Sequence, residues 1–182
     1  MYIVAKDIEN GTTLIASSCM SERSFEAECD SLLEDNGHVF KVRGKQGVMM
    51  VADCVSAISD LLRYNKLYEG DLSYEAVVKY VLKAIRGAHA FYGLPGINPA
   101  SSKYVIADKD HLFDIHCSGC VSEREFVTSQ NSLDGAFLSA KGDTVTDKIL
   151  NAFRANEPVV RRRIFPICIY DVATGKRKIY KK

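Results

Sequence analysis

Few of the residues able to do chemistry in this chain are spaced for it. His116, Cys117 and Cys120, in His-Cys-Ser-Gly-Cys, have the spacing of half a zinc site, with His111 a short way upstream. A tetrahedral zinc needs four ligands, and no second pair of matching spacing exists, so Cys168 or a neighbouring subunit would have to complete it. A single CxxC is an equally thin basis for redox chemistry. His38 stands alone at the start of a β-prone run, where a histidine is more often a surface or hydrogen-bonded residue than a general base. Gly11-Thr12-Thr13 offers hydroxyls, but both threonines read first as strand residues.

The elements that must carry these residues come in blocks. Ile3, Val4 and Ile8 precede Asn10-Gly11, and Thr12 to Ile15 follow it, which predicts a β-hairpin with the positive φ angles supplied by Asn-Gly. A polar, acidic stretch from Ser21 to His38 reads as a surface excursion. Short strands are expected at Val39 to Val42 and Val48 to Ala52. Two helices follow: one carries Val55, Ile58, Leu61, Leu62 and Tyr68, the other an apolar stripe from Ala76 to Ala88 behind Ser73 as N-cap. The loop YGLPGINPASS ends them.

Strand signals resume at Lys103 to Ala107 and His111 to Ile115, joined by a turn at Asp108 to Asp110, and again at Phe126 to Thr128. Leu133, Ala136, Phe137 and Ala140 take helical spacing, as do Val145, Ile149, Ala152 and Phe153 behind Asp143 or Thr144 as cap. Ile164 to Tyr170, a turn at Ala173-Thr174-Gly175, and Lys178 to Tyr180 close the chain as a further hairpin. Strands grouped with strands and helices with helices argue for antiparallel sheets carrying helices, against a βαβ fold.

With 182 residues, 47% apolar and 26% charged, the chain suits one domain spanning 1–182. A net charge of +1 gives no general case for nucleic-acid or membrane binding, although arginines and lysines gather towards the C-terminus as a solvated or contact surface. No leader and no apolar run of about 20 residues is evident, so the expected setting is cytoplasmic. Six scattered cysteines do not form a disulfide framework and read mainly as packing.

This order, with a hairpin at the extreme N-terminus, resembles the proteasome-type N-terminal-nucleophile hydrolases: proteasome β-subunits and the peptidase of the bacterial two-component protease. Ile3-Val4, Gly11, Leu14 and Ala16 match the family's opening hairpin. HVFKV with GVMMVADCVSAISDLLRY is similar to its strand, turn, strand and first long helix, and LSYEAVVKYVLKAIRGA to its second helix. HLFDIH is similar to the hairpin that follows, which makes HCSGC a turn in preference to a metal or redox motif. The resemblance implies an α+β fold, a four-layer αββα sandwich of two mainly antiparallel sheets.

In active members an N-terminal Thr attacks the peptide carbonyl, its own amine acts as base and a nearby Lys stabilises the charged states. Matched onto this chain, the nucleophile falls on Met1, whose thioether cannot serve; removing Met1 would expose Tyr2, which is no better. The strand-end acid becomes Ser17 and the Lys becomes His38, or Gly37 one register away. Asp53 replaces the oxyanion-hole glycine, where a carboxylate repels the developing charge. Asn131 falls where a supporting Ser is expected, and arginines replace the later Asp and Ser in EPVVRRRIF.

The expectation is therefore a subunit without peptidase activity, structural or regulatory, self-associating into a symmetric oligomer or ring with the Ala76 to Ala88 stripe as a contact. No cofactor, nucleic acid or membrane is expected, and an ATPase partner is left open. The alternative is an active threonine-type peptidase or amidohydrolase that uses Thr12, freed by cleavage at Gly11-Thr12, or an unmatched nucleophile. Such cleavage would delete the first strand of the hairpin.

Overall fold

The computed structural model describes residues 1–18, 103–116, 120–156 and 166–180, with the strand segments 39–41 and 49–52. Its first element, β1 (Tyr2–Asp7), is buried at nearly every position, the signature of a strand covered on both faces and not of an amphipathic edge. β2 (Thr12–Ser18) pairs with it antiparallel, from Tyr2 opposite Ser17 to Asp7 opposite Thr12.

The connection between them differs from the tight Asn-Gly turn expected. The last pair, Asp7 with Thr12, leaves Ile8 to Gly11 as a longer loop in which only Gly11 takes positive φ, at 59°. The Asp7 side chain holds this loop by accepting from Asn10 N at 3.3 Å and from Asn10 Nδ2 at 2.9 Å. Ile8, read as a strand residue, sits in the loop and is 76% exposed.

The chain continues through β3 (Val39–Lys41), β4 (Met49–Ala52), β5 (Lys103–Ala107), β6 (Leu112–His116), β7 (Val121–Glu123) and β8 (Phe126–Thr128). Helices α1 (Asn131–Ser139) and α2 (Val145–Ala155) precede β9 (Ile167–Asp171) and β10 (Arg177–Tyr180). Among the described residues two five-stranded sheets result, ordered β10-β9-β2-β1-β8 and β3-β4-β5-β6-β7, with every pairing antiparallel. The class is α+β. The two helices expected between Val55 and Ala88, and the acidic excursion before His38, lie outside the described residues.

Side-chain alternation along β1 divides the core. Tyr2 and Val4, with Ile15, Val127, Tyr170 and Val172, pack against Val105, Ala107 and Leu112 of the second sheet. Ile3 and Ala5, with Leu14, Ala16 and Ile169, pack against Leu133 of α1 and Ile149, Ala152 and Phe153 of α2. The first sheet is thus covered by the second sheet on one side and by helices on the other. β7, unforeseen in the sequence, is an edge strand of the second sheet, and Arg124-Glu125 lead from it to β8 of the first: Arg124 N donates to Leu112 O at 2.9 Å, and Lys6 N to Glu125 O at 2.8 Å.

α2 begins where its cap dictates. Of the alternatives Asp143 and Thr144, the cap is Thr144: its Oγ1 accepts from Asp147 N at 3.1 Å, while Thr144 N donates back to Asp147 Oδ2 at 3.3 Å. α1 has no side-chain cap at Gln130. Its first turn is held from the preceding strand, with Thr128 Oγ1 2.6 Å from Asp134 Oδ1.

Candidate functional site

Where β1 opens at Met1, three elements meet. Tyr2 N donates to Ser129 Oγ at 3.1 Å, and Ser129 N donates back to Tyr2 O at 3.1 Å, so the residue after β8 is clamped to the start of β1. On the helix side, Asn156 Nδ2 lies 3.5 Å from Met1 Sδ. Asn156 is the C-cap of α2, its own N–H donating to Ala152 O. Met1 is 37% exposed.

This arrangement separates two residues that the resemblance would group. Ser17 pairs with Tyr2 and shares its face, towards the second sheet, whereas the Met1 thioether meets Asn156 on the helix side. They share an end of the hairpin but not a face. Asn131, expected as the supporting polar residue, is the exposed first residue of α1; the hydroxyl against β1 belongs to Ser129. The physical reason is register: Thr128 pairs with Ile3, which sets Ser129 beside Tyr2. His38 and Asp53 lie outside the described residues.

Among the described residues the chemistry available at this end is limited. A thioether carries no proton to surrender and forms no acyl-enzyme. The Ser129 hydroxyl receives a peptide N–H from Tyr2, and a peptide nitrogen is no base, so the contact does nothing to generate an alkoxide.

Thr12 occupies the opposite end of the hairpin. It is 5% exposed, its Oγ1 lies 2.5 Å from Asp171 Oδ1, and it accepts from Ala173 N at 3.1 Å. Asp171 Oδ1 also accepts from the backbone of Ala173 at 3.0 Å and of Thr174 at 3.3 Å. Burial pushes the Asp171 carboxyl up, but the hydrogen bonds from Thr12, Thr174 and Ala173 outweigh it and hold the group below the usual carboxylate range. A carboxylate stabilised in its charged form is a poor proton acceptor. Thr12 ties the β1–β2 loop to the β9–β10 turn.

Two of the metal candidates, His111 and His116, are set apart along one strand. His116 ends β6 and His111 immediately precedes it, so they stand at opposite ends of a strand roughly 16 Å long at about 3.3 Å per residue. The His111 ring is engaged elsewhere, its Nδ1 3.2 Å from Asp108 Oδ1 and its face stacked on Phe113 at 5.9 Å. Cys120 is exposed just before β7, while Cys168 is buried in the first sheet. Cys117 is outside the described residues, among which no group of three His, Cys, Asp or Glu side chains could hold a metal ion.

Ser129, Asn156 and Asp171 are the residues that sequence reasoning passed over. Each becomes visible only through a long-range contact, with Tyr2, Met1 and Thr12 respectively. Among the described residues no helix is long and apolar enough to cross a membrane. Compared with known protein families and with curated proteins, the sequence finds no match.

Proposed function

We propose that this chain is a subunit of the proteasome type, a four-layer αββα sandwich, which lacks peptidase activity and serves a structural or regulatory role in a self-assembled symmetric oligomer or ring. The observation that carries the reading is the placement of the opening hairpin. β1 is an interior strand, covered by a second antiparallel sheet on one face and by helices on the other, and it leads out to Met1 at its open end. An N-terminal-nucleophile enzyme needs a hydroxyl or thiol at that end with a free amine as base. Here the side chain is a thioether against Asn156, and the nearby Ser129 hydroxyl is bonded to a peptide nitrogen.

Nothing in the surroundings of Thr12 favours the processed-enzyme alternative. Its hydroxyl and its backbone both serve the fold, and cleavage before it would detach a strand whose Ile3, Val4 and Ala5 are fully buried.

Intact-mass measurement of the purified chain, combined with a fluorogenic peptide panel and sedimentation, tests both halves. The expected result is no species starting at Thr12, no hydrolysis above background, and a mass that is a multiple of the chain. Peptide cleavage abolished by Thr12→Ala would overturn the inactive reading, and a monomer at all concentrations would overturn the assembly.

A further inference from the structure

We draw no further inference here: the strongest candidate, the outer face of α1 with the 71% exposed Leu138 among Asn131, Ser132, Gly135 and Ser139, offers a single exposed large apolar side chain, and nothing in the structure shows what covers it.

Discussion

The Thr12 hydroxyl donates towards Asp171 and accepts from Ala173 N, so replacing it removes two bonds at once. Hydrogen bonds to charged groups contribute about 1.5–3 kcal/mol. Thr12→Val, which keeps the β-branched shape, should therefore destabilise the fold by about 2 kcal/mol in urea unfolding at neutral pH. The sign of the pH dependence follows from Asp171, whose folded pKa is lowered. Its contribution is present above the unfolded carboxyl value of about 3.9 and is lost as pH falls through the lower folded value. The gap between wild type and Thr12→Val should narrow on acidification; a gap that stays constant would show that Asp171 is not the partner that matters. At the other end of the hairpin, Ser129→Ala removes the Oγ that accepts from the part-buried Tyr2 N–H. The expected loss is about 1–2 kcal/mol, read as a lower denaturation midpoint. An unchanged midpoint would mean that water replaces the hydroxyl at no cost.

Two glycines near the helices separate local propensity from packing. Gly135 lies inside α1 with nothing within 4 Å of where a Cβ would stand, so Gly135→Ala should stabilise the protein by about 0.5–1 kcal/mol. Gly142 precedes the α2 cap, and a Cβ there would sit 2.6 Å from Asp147 Cβ and 3.0 Å from Lys148 N. Gly142→Ala should push Asp147 out of its reciprocal bonds with Thr144 and cost about 1–3 kcal/mol. Thermal melts of the two variants should move in opposite directions, and a shared direction would contradict the α1–α2 geometry. α2 was legible in the sequence because its cap and its apolar period are local signals. The hairpin loop was not legible there, because Asn-Gly is compatible with more than one loop length and the Asp7 side chain holds the longer one. β7 carries no local signal, because only Val121 of its three residues is buried and its pairing with β6 is what defines it.

At the scale of the whole molecule, the block order of strands and helices was enough to indicate two antiparallel sheets with helices. The neighbours within each sheet were not legible, because β1 meets β8 and β2 meets β9 only through pairs such as Ile3 with Thr128 and Ala16 with Ile169. The same non-local contacts set Ser129, and not Asn131, against β1. The layers are joined mainly by apolar contact. Lys6, 14% exposed, also reaches across to Glu123 at 3.0 Å, but Glu123 is itself half exposed, which limits that ion pair to about 1 kcal/mol or less. Lys6→Met should therefore cost little, whereas Val4→Ala, at a fully buried inter-sheet position, should cost about 2 kcal/mol or more. Assembly is tested by the same melts. If subunits associate only when folded, mass action couples oligomerisation to stability, and Tm must rise with protein concentration. A rising Tm, together with an oligomeric mass and no peptide turnover, is what a non-catalytic subunit requires. A Tm independent of concentration, measured on a chain that sediments as a monomer, would leave an isolated αββ-layered domain and remove the reason to regard it as part of a ring.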